Sequence, residues 1–203
     1  MLESERKKLF DPEREYANIG ISEGGVCYSI TPIVWENTAS AFNTRTPDIY
    51  IAPEDLKDEE IWGRICSLVI RGLYIYVPLE DYSFISKLPT IWDLHIRDGE
   101  NIKNLDFLSG VPECMMLFLC NATLDNVDII WEMKKTCKGF ISPYSRLGLY
   151  DCKVNRAPDP EDLMLRFTEF LVWSRPENRA SDMEKWRAVP GFTKKYFTIK
   201  QED

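Results

Sequence analysis

The sequence predicts an α/β fold in which short repeat units stack side by side as a solenoid. The first observation is a strand-like pair of apolar residues that recurs three times: Leu68-x-Ile70, Leu94-x-Ile96 and Leu117-x-Leu119. The second is the spacing, since the last two pairs lie 23 residues apart (117 − 94). The third is a polar turn and a second apolar set after each pair. A unit of roughly 20 to 30 residues cannot bury its apolar face alone, so such repeats indicate stacked units rather than a compact enzyme core.

The central unit begins with a short strand in which Leu94 and Ile96 are predicted to point inward. Alternation along this strand places three polar side chains on its opposite face: Asp93, His95 and Arg97. A polar turn follows at residues 98–101. Beyond the turn, an apolar residue recurs at every third position: Ile102, Leu105, Leu108 and Val111. That spacing predicts a 3₁₀ or loosely helical segment packed behind the strand.

The neighbouring units follow from the same pattern. After the strand of Leu117, the second apolar set recurs: Leu124, Val127, Ile130 and Met133. Before the central unit, Leu68 takes the place of Leu94 with an offset of 26 (94 − 68), which leaves a longer turn or a longer strand around residues 74–76. A further strand is predicted at Ile49-Tyr50-Ile51, with three apolar residues on a helix behind it: Leu56, Ile61 and Ile65.

The unit after Leu117 has two alternative strands. The first is Phe140-Ile141-Ser142, which has the right spacing but a polar residue at an inward position. The second is Leu147-Gly148-Leu149. The pattern does not choose between them.

This repeat resembles the leucine-rich repeat family. The matching residues are Leu94-x-Ile96 with the apolar set from Ile102 to Val111, and Leu117-x-Leu119 with the set from Leu124 onward. The pattern is most similar to the short bacterial internalin-type repeat, whose convex side tends to be 3₁₀-like. The resemblance covers residues 49–152 and implies a right-handed solenoid with a parallel sheet on one face. Where the family often has asparagine, this chain has Gly99 or Ala122.

A solenoid exposes an apolar face at each end, which terminal segments must cover. Residues 1–48 are predicted to form an N-terminal cap or hairpin segment, since residues 26–30 alternate like a strand after a glycine turn. Residues 49–155 form the repeat array. Residues 156–203 are predicted to form a helical C-terminal cap, because the apolar residues of 163–173 lie at helical spacing. The three parts are expected to make one compact unit.

Composition limits the classes of partner. The net charge of −8 disfavours nucleic acid and anionic membrane surfaces, because binding phosphates requires clustered Lys and Arg. The first residues lack the apolar run of a secretory signal, and no segment approaches the roughly 18 apolar residues of a membrane span, which predicts a cytoplasmic protein. The six cysteines lack paired spacing, so free thiols are expected and no metal or other cofactor is implied.

Two groups of polar residues were weighed as chemistry. His95 is the single histidine, and no nucleophile motif accompanies it, so a solvated or surface-binding histidine is expected rather than a catalytic base. The acidic run at residues 54–60 lacks the spacing of a calcium loop, so a solvated face is expected there.

The function predicted from the sequence is a non-enzymatic protein that binds another protein through the outward face of its sheet. The residues expected on that surface are Arg71, Asp93, His95, Arg97, Met116 and Phe118. Met116, Phe118 and Ile141 are expected to form an exposed apolar patch. One alternative is an enzyme or small-ligand binder with a pocket between the repeat array and the C-terminal cap, lined by Trp173, Trp186 and Tyr196. Another is a structural role through self-association.

Overall fold

One parallel sheet of eight strands organises the chain. The computed structural model describes residues 1–27, 46–111, 114, 116–126, 146–150, 152–155, 169–173 and 197–199. The strands of the sheet are β1 (Tyr16–Ile21), β2 (Ile49–Ile51), β3 (Val69–Ile75), β4 (Ile91–Ile96), β5 (Met116–Cys120), β7 (Arg146–Tyr150), β9 (Glu169–Trp173) and β10 (Phe197–Ile199). Their order in space is β10-β9-β7-β5-β4-β3-β1-β2, and every neighbouring pair is parallel. The predicted α/β class and the parallel sheet are confirmed.

Short helical segments connect the strands. The α-helices are α1 (Glu3–Leu9) and α2 (Glu59–Cys66). The 3₁₀ segments are Glu23–Gly25, Pro53–Lys57, Ser83–Lys87 and Asp106–Leu108. Two further strands, β6 (Thr123–Leu124) and β8 (Lys153–Val154), pair with each other in parallel beyond the ends of β5 and β7.

The predicted equivalence of the two central rungs is confirmed. Leu94 pairs with Leu117 and Ile96 pairs with Leu119. All four side chains are buried in one continuous apolar core. These pairs are therefore neighbouring positions of one stack, with their side chains in a shared interior.

The predicted register of β3 was wrong. The residues level with Leu94 and Ile96 are Leu73 and Ile75, not Leu68 and Ile70. Ile70 instead pairs with Ile91, one inward position earlier in the rung. The strand continues through residues 74 and 75, which agrees with the longer strand that the sequence left open as an alternative to a longer turn.

The segments behind the strands agree with the predicted three-residue spacing. Ile102, Leu105, Leu108 and Val111 are all buried, and a 3₁₀ turn lies among them. Behind β2, the predicted helix is present in two pieces, with Ile61 and Ile65 buried on α2 and Leu56 packed against the core from the preceding 3₁₀ turn.

The acidic run before α2 is not simply a solvated face. Asp58 is the N-cap of α2, and its carboxylate accepts hydrogen bonds from the backbone N–H groups of Glu60 and Ile61. Asp55 is buried and accepts from the backbone N–H of Ala52 at 2.7 Å. These two carboxylates satisfy helix-terminal and turn donors, which the expectation of solvation missed.

The fourth rung is the second of the two sequence alternatives. Leu147 and Leu149 lie in β7, level with Leu117 and Leu119. The residues of the first alternative, 140–142, lie outside the described residues. One turn further, the buried thiol of Cys152 donates to the carbonyl oxygen of Leu119 at 3.2 Å, which links the two rungs beyond the sheet.

Both flanking segments, which were predicted to be caps, contribute strands to the sheet. In the N-terminal segment, β1 lies inside the sheet between β2 and β3, so residues 1–48 are not only a cap. Gly24 and Gly25 form the predicted turn with φ angles of 61° and 66°, a backbone region that glycine adopts without strain. In the C-terminal segment, residues 169–173 form β9 and residues 197–199 form β10, so the predicted helical cap was wrong for these residues. The other residues of 156–203 lie outside the described residues.

The helix α1 lies against the edge strand β2. The buried Glu5 of α1 accepts a hydrogen bond from the backbone N–H of Tyr50 at 2.8 Å, and Lys8 donates to the same carboxylate at 2.7 Å. A backbone donor at the edge of the sheet is thereby satisfied by a side chain.

Candidate functional site

The outer face of the sheet, meaning the face opposite Leu94 and Ile96, carries all six predicted surface residues. Arg71 lies on β3, Asp93 and His95 on β4, and Met116 and Phe118 on β5. Arg97 follows directly after β4. Parallel pairing places Asp93 beside Met116 and His95 beside Phe118.

Three rings form a stack across the centre of this face. His95 lies between Tyr74 and Phe118, with ring centroids 4.8 Å away on either side and interplanar angles of 26° and 28°. Tyr74, level with His95 in the neighbouring strand, was missed in the sequence reading because the register of β3 was misassigned. Tyr74 is 5% exposed and Phe118 is 7% exposed, whereas His95 between them is half-buried.

The surroundings of His95 keep its imidazole neutral. Burial lowers the pKa of His95 to about 3, and the nearby positive charge of Arg97 lowers it further in the same direction. A supporting carboxylate would move the pKa upward instead. A histidine with this pKa is a poor proton acceptor near neutral pH. The imidazole is half-buried rather than fully solvated.

The two arginines of the outer face are held by aromatic rings. The guanidinium carbon of Arg71 lies 3.5 Å from the centroid of Tyr16 and 5.7 Å from that of Trp92. The guanidinium carbon of Arg97 lies 5.2 Å from the ring of Tyr76. Within the described ranges, neither arginine has an ion pair with a carboxylate.

The accessible part of the outer face lies where the parallel strands begin. Tyr16 is 47% exposed, and Val69, its partner across β1 and β3, is 42% exposed. Arg71 and Trp92 are half-buried beside them. We call Tyr16, Val69, Arg71 and Trp92 the edge patch. Alternation along the strand predicted Arg71 on this face. It did not identify Tyr16 and Trp92, which come into reach of Arg71 only through cross-strand pairing.

The predicted apolar patch was wrong in one member. Phe118 is buried, whereas Met116 is half-buried. Ile141 lies outside the described residues. Asp93 is also buried, at 7% exposure, so this carboxylate belongs to the interior of the outer face rather than to its surface.

Tyr50 on β2 and Tyr76 directly after β3 are phenols close to the thiol of Cys27. Burial raises the pKa of Tyr76 to about 12. Burial, followed by a hydrogen bond with the Cys27 side chain, raises the pKa of Tyr50 above its ordinary value. Both phenols therefore stay protonated at neutral pH and act as hydrogen-bonding groups rather than as charges.

On the opposite side of the molecule, a polar groove of about 490 Å³ runs between the 3₁₀ turns of neighbouring units. The carboxylate of Asp81 accepts from the hydroxyl and the backbone N–H of Ser83, and these hydrogen bonds lower its pKa. The groove holds the rings of Tyr82 and Phe107, whose centroids are 5.6 Å apart. The carboxylate of Asp81 serves the local turn, which is a structural role.

The predicted pocket between the repeat array and the C-terminal cap falls largely outside the described residues. Trp186 and Tyr196 lie outside the described residues, and only the backbone of Trp173 is described, as part of β9. The five cysteines in the described part of the chain are free thiols. Over the same ranges, no cluster of three or more His, Cys, Asp or Glu side chains is arranged to hold a metal ion.

Comparisons with known proteins add no relative. No family model, no curated protein and no solved structure matches the chain. Among the described residues, no helix is long and apolar enough to cross a membrane.

Proposed function

We propose that the fold is a leucine-rich-repeat-like solenoid. The support is a parallel sheet whose strands follow chain order from β3 onward, with 3₁₀ turns behind it. The rungs of β3 and β4 carry the pattern I-x-x-L-x-I, at residues 70–75 and 91–96. In a later unit, Leu147-x-Leu149 is followed by Cys152 at the position that the repeat reserves for asparagine or cysteine. The thiol of Cys152 donates to a backbone carbonyl, which is a structural role suited to that position.

We further propose that the protein is a non-enzymatic interaction module that presents the outer face of its sheet to another protein. One observation carries this proposal: Arg71 is stacked on the exposed Tyr16, beside Trp92 and the exposed Val69. Arg, Tyr and Trp are the residue types that dominate binding energy at protein interfaces. Rings that hold the guanidinium in place also reduce the entropy lost when a partner binds.

The neighbouring chemistry supports binding over catalysis. His95 is neutral and inserted between two rings. A general base needs a free lone pair within reach of a substrate proton and a pKa near the working pH. The pKa of His95 lies far below the working pH, whereas the edge of this face offers the mixed aromatic and cationic surface typical of recognition.

A quantitative pull-down from the source lysate tests this proposal. The bait proteins are the intact chain, the double variant Tyr16→Ser/Val69→Ser, and the control Lys103→Ser, which alters an exposed residue near the 3₁₀ turn on the opposite side. We expect a partner that the intact chain and the control retain and that the double variant loses, while all three baits keep the same thermal midpoint. Equal recovery by all three baits, or no specific partner for any, would contradict the proposed face.

A further inference from the structure

We infer that the edge patch recognises an acidic segment of its partner, in which a carboxylate beside an apolar residue pairs with Arg71. This inference rests on the proposed function and specifies the chemistry of the partner. The carboxylate approaches the guanidinium of Arg71, and the neighbouring apolar residue packs on Val69 and Tyr16.

The first argument comes from the arginines of the described chain that lie off the outer face. The side chain of Arg6 pairs with Glu60, and that of Arg14 pairs with Asp48. Arg64 donates to the backbone carbonyls of Leu9, Asp11 and Arg14. In a chain with 33 acidic and 25 basic residues, an arginine readily finds an internal acceptor.

The two arginines of the outer face, Arg71 and Arg97, depart from that behaviour, since no carboxylate of the described residues lies within ion-pair distance of either. Arg71 is the one that lies beside strongly exposed apolar side chains, and its buried Nε has no hydrogen-bond acceptor. The guanidinium is held instead by ring faces, which contact its plane and leave its edge as the donor surface. The edge of a guanidinium binds a planar carboxylate through two parallel hydrogen bonds.

The second argument comes from the residues around the guanidinium. Val69 and Tyr16 are two of the four large apolar side chains of the described residues that are strongly exposed, and they are direct cross-strand neighbours. An apolar side chain next to the incoming carboxylate removes this surface from water. The patch therefore fits a short segment that is charged at one position and apolar at the next.

The third argument concerns charge. The net charge of −8 repels an extended polyanion, since nucleic-acid binding depends on many neutralised phosphates. A single carboxylate in an otherwise apolar segment needs only one local cation. The net negative charge thus favours a partner with a single carboxylate over one with a phosphate backbone.

The experiment uses a displayed library of random twelve-residue peptides, selected on the intact chain. We expect the enriched peptides to share an Asp or Glu next to an aliphatic or aromatic residue. A synthetic copy of the most enriched peptide is then measured by fluorescence anisotropy. We expect Arg71→Gln to weaken its affinity at least tenfold, Arg71→Lys to weaken it less, and the charge-matched control Lys103→Gln to change it less than twofold. Replacing the acidic residue of the peptide by its amide should cost as much as Arg71→Gln, and the two losses should not add.

The outcomes separate this inference from the proposed function. Peptides that lose affinity for Tyr16→Ser/Val69→Ser but not for Arg71→Gln overturn the acidic partner and leave the face intact. Enrichment of basic or uncharged peptides, or no enrichment, overturns it as well. Binding that is unchanged in every edge-patch variant overturns both. A single-stranded oligonucleotide that binds with dependence on Arg71 would replace the peptide carboxylate by a phosphate and reject the inference. Thermal midpoints equal to that of the intact chain confirm that each variant is folded.

Discussion

At the scale of single residues, the pKa of a side chain depends on how deeply it is buried as well as on which face of the sheet it occupies. Alternation along β4 correctly placed His95 opposite Leu94 and Ile96. It gave no information on the rings of Tyr74 and Phe118, which belong to neighbouring strands and enclose the imidazole. A histidine that is outward by pattern is therefore half-buried between two rings, and its pKa responds to that environment.

The neutral state of His95 predicts a specific pH dependence of stability. The folded pKa of about 3 lies below the ordinary value of 6.5, so the unfolded chain binds more protons between these two pH values. The contribution of His95 to stability is thus present above pH 6.5 and is lost as the pH falls toward 3, with a slope of at most about 1.4 kcal/mol per pH unit. Urea unfolding of the intact chain and of His95→Phe, from pH 7.5 to 4.5, measures this slope. We expect the intact chain to lose stability faster on acidification, since the carboxylates contribute equally to both. Parallel pH profiles would show that the imidazole can be protonated without leaving the stack.

At the scale of elements, the sequence predicted the strand and turn pattern best where one frame of apolar residues was available. The frame of Leu94 and Ile96 was found because a polar residue separates the two leucine-type positions. In β3 two frames compete, since Leu68, Ile70, Leu73 and Ile75 are all apolar, and only cross-strand pairing decides between them. In β9 the residues Phe170 and Leu171 suit a helix or a buried strand equally by spacing, and the continuous run to Trp173 is typical of a parallel strand.

Two glycines differ in the space around them. Neighbouring turns approach closely at Gly110, whereas Gly63 has open space beside it. An added methyl group at Gly110 would lie 2.4 Å from the backbone oxygen of Ser86 in the preceding unit, whereas at Gly63 on α2 it would meet nothing within 4 Å. We expect Gly110→Ala to destabilise the chain by about 1–3 kcal/mol, since a backbone atom must move. Gly63→Ala should stabilise it by about 0.5–1 kcal/mol, because alanine lowers the entropy loss of helix formation. Urea midpoints of both variants measure the contrast, and effects of equal sign would refute the packing of these turns.

The sequence predicted only part of the candidate site, because the pattern within one strand does not specify its neighbours in other strands. Arg71 and Arg97 were predicted on the outer face from alternation within single strands. Their ring partners Tyr16 and Tyr76 lie on or beyond other strands, and a single sequence does not specify which residues become lateral neighbours. Residue types and faces were therefore predictable, but the edge patch as a constellation was not.

At the scale of the whole molecule, stability is expected to vary along the stack. The strands β3 and β4 have parallel neighbours on both sides, and their inward side chains, such as Ile75 and Leu94, are fully buried. The strand β2 ends the sheet and has a strand on one side. We expect hydrogen exchange followed by mass spectrometry to show the slowest amides in β3 and β4, with opening free energies near that of global unfolding, and faster exchange in β2. Uniform exchange rates from β2 to β4 would indicate a single cooperative unit without a protected centre.

The contact between α1 and β2 has a consequence for self-assembly. Parallel strands at a sheet edge are templates onto which a strand of another molecule can add, and repetition of that step builds fibres. At this edge the amide of Tyr50 is already occupied by the carboxylate of Glu5. An incoming strand would have to displace this buried anion to pair with Tyr50, so we expect α1 to oppose the addition of a strand at this end.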